Sequence, residues 1–280
     1  MQVMKPREIE KDIYLLNGDS LPVSQFDAEA AIRYPAVYEV LKITNGVPLF
    51  WDAHIDRLEK SLKLAGVSID INRDQLHQQA LRLVQENNAT HHNMKIIMNA
   101  FDTKPAGDVY LFFITTSYPS QQQLSEGVKV ITYEAQRNNP NAKIIASDFR
   151  TSILEALQEA QGYEALLVNP EQEVTEGSRS NFFVIKDNVF YTPPSHQILE
   201  GITRQVVIKL LARLGYELKV MPISLPFLGS ADGLFLTGTS PGVLPIRQVN
   251  DQVYDVTLKP LQDLQGLFHH VEETYISLNG

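Results

Sequence analysis

The sequence predicts an α+β chain built as two domains, and three observations carry that expectation. Its 280 residues exceed what one compact core usually holds and suit two units of roughly 100 to 150 residues. Runs with a two-residue hydrophobic period alternate with runs of helical period along the whole chain. The stretch Tyr118-Pro-Ser-Gln-Gln-Gln-Leu-Ser-Glu-Gly127 is polar and shows neither period, so it reads as a linker at 118–127. A small α+β domain at 1–117 and a larger mixed α/β domain at 128–280 follow.

The elements take their places in order. Val37 to Ile43 alternates apolar and polar side chains, Thr44-Asn-Gly46 supplies a hairpin turn, and Val47 to Phe50 is apolar again. From Ala53 the period becomes helical through Ile55, Leu58, Leu62 and Ala65, with Gly66 as the stop and His54 and Arg57 on one flank of the first turn. Leu76 to Val84 reads as a second helix, and Met94 to Met98 and Val109 to Ile114 as strands. Beyond the linker, strands are expected at Val128 to Tyr133, Ala165 to Val168, Asn181 to Ile185, Val189 to Tyr191, near Leu218, and at Leu234 to Thr237. Helices are expected at Thr151 to Gln161, at Thr203 to Leu214 closed by Gly215, and from about Thr257 to Tyr275.

Composition narrows the function classes. A net charge of −9 without a Lys/Arg run longer than a pair argues against a nucleic-acid partner, which needs a basic stripe. The absence of cysteine excludes disulfides, thiolate metal sites and a cysteine nucleophile. His91-His92 and His269-His270 lack the spacing of metal ligands, so no metal is expected. Nowhere do eighteen apolar residues run together, and the N-terminus has no apolar leader; no membrane association and a cytoplasmic location are the expectations.

The chemistry concentrates in Val174-Thr-Glu-Gly-Ser-Arg-Ser-Asn-Phe-Phe183 and Ile198-Leu-Glu-Gly-Ile-Thr-Arg204. Thr203 can cap the helix that follows, and the free N–H groups of such a helix start attract anions; a plain capped start is the competing reading. The turn Leu236-Thr-Gly-Thr-Ser-Pro-Gly242 offers Thr239, Ser240 and glycine-freed amides to the same class of ligand. Glu176, between hydroxyl residues and an apolar strand, is placed at the rim of a core, where a carboxylate needs a cationic partner; an exposed turn glutamate is the alternative. If that partner is a pyridinium nitrogen, the ring becomes an electron sink. Lys143, with a polar turn before it and Ile144-Ile-Ala146 after it, suits an amine delivered into a cleft, against the ordinary fate of a solvated lysine. His54 and Arg57 could grip a phosphate, or Arg57 could pair with Asp56, Glu59 or Glu176.

Together these segments resemble the class IV pyridoxal-phosphate aminotransferases, a family that includes branched-chain and D-amino acid aminotransferases and aminodeoxychorismate lyases. The resemblance rests on Val37-Tyr-Glu39, His54-x-x-Arg57-Leu58, Thr175-Glu-Gly-Ser178 with Asn181-Phe-Phe183, Gly201-Ile-Thr-Arg204, and Thr237-Gly-Thr239 with Pro245-Ile246. It implies a two-domain fold type IV enzyme with pyridoxal 5'-phosphate at the domain interface, and a homodimer. Lys143 is then the Schiff-base lysine and proton carrier, and Glu176 the partner of the pyridine nitrogen. Arg57, Ile202, Thr203 and Thr239 hold the phosphate, while Tyr38 and Ser240 contact the substrate.

The chain departs from the family at Arg33-Tyr-Pro-Ala36, in place of a Gly-Asp-Gly turn, and at Ile144-Ile-Ala146. The arginine of D-specific members is absent from Ile96 to Phe101, and Lys95, if it faces inward, is a weak substitute; Arg179 is read as a solvent-facing strand residue, with a charge behind the site as the other reading. The expected activity is amino transfer between a small, branched-chain-like amino acid and a 2-oxo acid. The alternatives are an aminodeoxychorismate lyase releasing pyruvate, and a homologue that binds the cofactor with impaired catalysis.

Overall fold

The computed structural model describes residues 8–33, 35–101, 104–136, 142–143 and 150–280. Chain contacts divide them into two compact units. The first holds 8–117, 142–143 and 272–280, and the second holds 118–136 and 150–271.

In the first unit the order is β1 (Ile13–Leu16), β2 (Asp19–Pro22), α1 (Ala28–Ala31), β3 (Ala36–Thr44), β4 (Val47–Pro48), α2 (Trp51–Leu64), α3 (Arg73–Glu86), β5 (His91–Phe101) and β6 (Lys104–Ile114). The strands form one antiparallel sheet in the order β2-β1-β6-β5-β3-β4. Asn45 and Gly46 both take positive φ, the conformation that a two-residue hairpin demands, and so fix the β3–β4 register. Val37, Leu41 and Ile43 on one sheet face pack with Ile55, Leu58 and Leu62 of α2 and Leu76, Ala80 and Leu83 of α3. Tyr38, Ile97, Tyr110 and Phe112 line the other face. The helix at Ala53 begins two residues earlier than its period suggests, at Trp51, because Phe50 turns into a left-handed conformation and the Trp51 N–H is met by the Tyr275 hydroxyl at 3.0 Å. The sequence reading found no element before Val37, so β1, β2 and α1 are additions.

The second unit continues with α4 (Gln121–Glu126), β7 (Val128–Glu134), α5 (Arg150–Ala160), β8 (Glu164–Val168), β9 (Glu173–Gly177), β10 (Asn181–Lys186), β11 (Val189–Thr192), α6 (Ile202–Leu214), β12 (Leu218–Val220), β13 (Ile223–Ser224), α7 (Leu225–Gly229), β14 (Gly233–Gly238), β15 (Gly242–Val249), β16 (Gln252–Val253) and α8 (Lys259–Asn279), whose last turns belong to the first unit. A ten-stranded mixed sheet runs β12-β11-β10-β14-β15-β7-β8-β9-β13, with β16 on β15. Val207 and Leu211 of α6 and Leu261, Leu264 and Phe268 of α8 cover one face of it against Phe183 and Phe235, whose rings stack 5.0 Å apart.

The stretch at 118–127 is not irregular throughout. Ser120 accepts from the Gln123 N–H while the Gln123 side chain accepts from the Ser120 N–H, and this reciprocal cap supports α4 despite its lack of an apolar stripe. Among the described residues no helix is long and apolar enough to cross a membrane.

Candidate active site

In the first unit Lys143 docks on the open edge of β3. Its carbonyl accepts the Tyr38 N–H at 3.0 Å, its own N–H donates to Ser61 Oγ at 3.3 Å, and its Nζ lies 4.9 Å from the centre of the Tyr38 ring. The amine of this half-buried residue is therefore held over an aromatic face. Lys95, opposite Val40 in the sheet, faces the same side as Tyr38, is buried, and carries its Nζ 5.0 Å from the same ring centre. Tyr34, Asn138 to Asn141 and Ile144 to Ala146, on which departures from the family and the setting of Lys143 were read, lie outside the described residues.

On the opposite face of β3, Glu39 is wholly buried and takes a two-pronged grip from Arg57, Nε to Oε2 at 2.8 Å and Nη2 to Oε1 at 2.6 Å. None of the three partners anticipated for Arg57 is used in this grip, because the hairpin carries β3 beneath α2 and sets residue 39 under residue 57. His54 Nδ1 is 3.3 Å from Glu39 Oε1. Burial alone would raise the Glu39 carboxyl, but Arg57 and His54 more than offset it and hold it well below the usual carboxylate range. Two parallel bonds to one carboxylate fix the plane of the Arg57 guanidinium as well as its position.

In the second unit Glu176 is not in an exposed turn. It stands in β9, which pairs with β8 on one side and β13 on the other, and it is 3% exposed. Its Oε2 accepts the Leu199 N–H at 3.1 Å. The next strand supplies Asn181, whose Nδ2 donates to the Leu199 carbonyl at 2.9 Å and whose Oδ1 accepts the Gly201 N–H at 3.0 Å. These two side chains hold the segment that opens α6.

The cap of α6 is Gly201, not Thr203. Thr203 falls inside the first turn and is buried, as is Ile202, because Asn181 engages the chain two residues earlier than a threonine cap would. A glycine cap supplies no side-chain acceptor to the first-turn N–H groups. A Cβ at Gly201 would lie 2.3 Å from Asn181 Oδ1, so any other residue there would have to displace the Asn181 side chain. Arg204 is buried and donates to Thr192 Oγ1 at 3.2 Å and to the Pro193 carbonyl at 2.9 Å, fixing the helix start from below. Thr239 and Ser240 occupy the hairpin turn between β14 and β15, half-buried. Thr237, the sheet partner of Asn181 on the same face, buries its Oγ1, which has no hydrogen-bond partner among the described residues.

Arg179 lies in the β9–β10 turn rather than on a strand, with Nη2 3.4 Å from the Tyr163 carbonyl. Sequence reasoning missed Glu39, Asn181 and Arg204 as site residues; all three were quoted inside motifs, and for the first two a buried-strand context was the signal that could have promoted them.

Each unit carries groups of the kind that a phosphorylated aromatic aldehyde requires. In the second unit the first turn of α6 suits a phosphate and the buried Glu176 carboxylate suits a protonated ring nitrogen. In the first unit the Arg57 fork suits a phosphate and the Lys143 amine held over an aromatic face suits an aldehyde.

Residues 36–249 match the family model for amino-transferase class IV. A branched-chain-amino-acid aminotransferase of Pseudomonas aeruginosa is 32% identical over 212 residues, covering 71% of this chain and 69% of that protein. A D-alanine aminotransferase of Bacillus licheniformis is 30% identical over 240 residues, covering 77% and 79%. The crystal structure of a branched-chain amino acid aminotransferase from T.th. with pyridoxamine 5'-phosphate shares the fold, with a TM-score of 0.82, 23% identity and 96% of each chain covered.

Proposed function

The chain belongs to the amino-transferase class IV family, and on that premise we propose a pyridoxal-phosphate-dependent aminotransferase that moves an amino group between a small, branched-chain-like amino acid and a 2-oxo acid. The observation that carries the reading is the amine of Lys143 over the Tyr38 ring, anchored through its backbone to β3, in a chain whose other unit buries Glu176 beside the opening of α6.

When bound, pyridoxal phosphate supplies an aldehyde that captures amines covalently and a ring that draws electrons from the bond breaking at the substrate Cα. Lys143 is its covalent anchor and afterwards carries the proton to and from Cα. Glu176 keeps the pyridine nitrogen protonated, and its own position is held by the Leu199 N–H. The N–H groups of Ile202 and Thr203, the Thr203 and Thr239 hydroxyls and Arg57 hold the phosphate, with Glu39 fixing the plane of the Arg57 fork. Tyr38 orients the Lys143 amine and lines the substrate pocket, and the Ser240 turn receives the substrate carboxylate. The working form is a homodimer.

Borohydride treatment of the purified protein loaded with pyridoxal phosphate, followed by peptide mass spectrometry, tests the assignment. The reading requires a reduced adduct on Lys143 and amino transfer that depends on an added 2-oxo acid. An adduct on any other lysine overturns the role of Lys143. Pyruvate released from 4-amino-4-deoxychorismate with no oxo acid present marks the lyase instead.

A further inference from the structure

Glu164 opens β8 and is 2% exposed, yet the mechanism above gives it no task. Its carboxylate is ringed by four neutral donors. Oε1 accepts the Ala165 N–H at 2.8 Å and the Ser178 hydroxyl at 2.5 Å, while Oε2 accepts the Arg179 N–H at 3.2 Å and the Ser180 hydroxyl at 3.0 Å. Three of the four come from the turn 178–180, which joins Glu176 and Gly177 on β9 to Asn181 on β10. Backbone bonds tighten the same turn, Gly177 N–H to the Ser180 carbonyl and Ser178 N–H to the Ala165 carbonyl, both at 2.8 Å. At Gly177 an added Cβ would meet Ser180 Oγ at 2.1 Å, so a side chain there would displace the Ser180 hydroxyl.

This turn sets the spacing between the two side chains that hold the α6 entry. Glu176 grips Leu199 and Asn181 grips Leu199 and Gly201, so any change in the turn moves both grips relative to each other. We propose that Glu164 is the positioning residue for Glu176: its four-donor carboxylate locks the turn 178–180 and thereby fixes the acid that faces the cofactor's ring nitrogen. The proposal rests on the assignment of Glu176 made above.

Glu164→Gln is a sharp perturbation although it conserves shape. Either flip of the amide turns its NH2 toward one backbone N–H, of Ala165 or of Arg179, and a backbone donor cannot reverse as a hydroxyl can. The double variant Ser178→Ala/Ser180→Ala removes two donors without creating a donor–donor clash, and it stands in if E164Q does not fold.

The experiment compares wild type, E164Q, S178A/S180A and E176Q by pyridoxal phosphate titration, the visible absorption band of the loaded protein, and far-ultraviolet circular dichroism. The expectation is a folded E164Q with about tenfold weaker cofactor binding, from the loss of one buried hydrogen bond and the clash that replaces it. Its band shifts in the same direction as that of E176Q, and S178A/S180A shifts the same way by less. A wild-type band and wild-type affinity in E164Q, or in S178A/S180A where E164Q is insoluble, overturn the proposal while E176Q still shifts. If E176Q itself keeps the wild-type band, the assignment of Glu176 fails and takes the proposal with it.

Discussion

Tyr38 and Lys143 are joined twice, by a backbone hydrogen bond of 3.0 Å and by an amine 4.9 Å from the ring centre. The backbone bond sets where the lysine leaves its strand edge, and the ring sets where its side chain ends. Tyr38→Phe keeps the aromatic face and is expected to react at a rate near that of wild type. Tyr38→Leu removes it, and the loss of a contact worth about 0.5–2 kcal/mol predicts a roughly twofold to thirtyfold slower half-reaction. Single-turnover kinetics with an amino acid and no acceptor measure this directly; equal rates for the two variants would remove the ring from the account.

Glu39 and Arg57 form a pair in which side-chain exposure is 0% and 9%. Arg57→Met leaves a wholly buried carboxylate without its fork, at an expected cost of about 3–5 kcal/mol in urea unfolding. Glu39→Leu/Arg57→Met removes both charges and is expected to recover most of that stability without recovering phosphate affinity. Stability and cofactor binding should thus part company in the double variant. Recovery of both would mean that Arg57 serves the fold alone.

His54 gives the first unit a pH dependence of definite sign. Burial is the largest influence on it and, with repulsion from Arg57 and Lys143, outweighs the pull of Glu39, so the imidazole titrates below its ordinary 6.5. A depressed histidine binds its proton more readily in the unfolded chain, so its contribution is complete above pH 6.5 and is lost as pH falls below it. Glu39, also depressed, acts in the same direction but only below its ordinary 4.5. His91 and His92 are lowered by partial burial and share the upper window. His54→Gln should therefore flatten, though not abolish, the fall in melting temperature between about pH 6.5 and pH 5. An unchanged slope would show that His54 is not the group responsible.

The legibility of this chain in its sequence follows from where the deciding contacts lie. The β3–β4 hairpin, α2 and α6 were readable because a local turn or a helical stripe specifies each of them. Asn17-Gly18 carries the same turn signal as Asn45-Gly46, with positive φ at both positions, and β1–β2 could have been found from it. β9 could not, since Glu173-Val-Thr-Glu-Gly177 alternates weakly and is buried by strands on both sides. The partner of Arg57 lies 18 residues away on another element, beyond any helical spacing rule. Candidate chemistry was therefore visible as residue types, while the carboxylates that hold those residues in place came only with the tertiary pairing.

Gly201 gives the most local test of how the second unit presents its anion site. The absence of a side chain there lets Asn181 Oδ1 take the Gly201 N–H at 3.0 Å, and a methyl group would have to occupy space 2.3 Å from that same oxygen. Against a good capping residue alanine costs typically about 1 kcal/mol and glycine only a few tenths, so cap preference alone predicts a loss of somewhat less than about 1 kcal/mol in unfolding. The clash acts elsewhere: it displaces Asn181, frees Leu199, and loosens the segment that Glu176 also holds. Gly201→Ala should therefore weaken pyridoxal phosphate binding about tenfold or more, out of proportion to its effect on unfolding. Asn181→Ala removes the obstacle and the anchor together, so G201A/N181A should bind no more weakly than N181A alone. That non-additivity, read by cofactor titration, separates a clash at Asn181 from a general intolerance of α6 to substitution, which would make the two losses add.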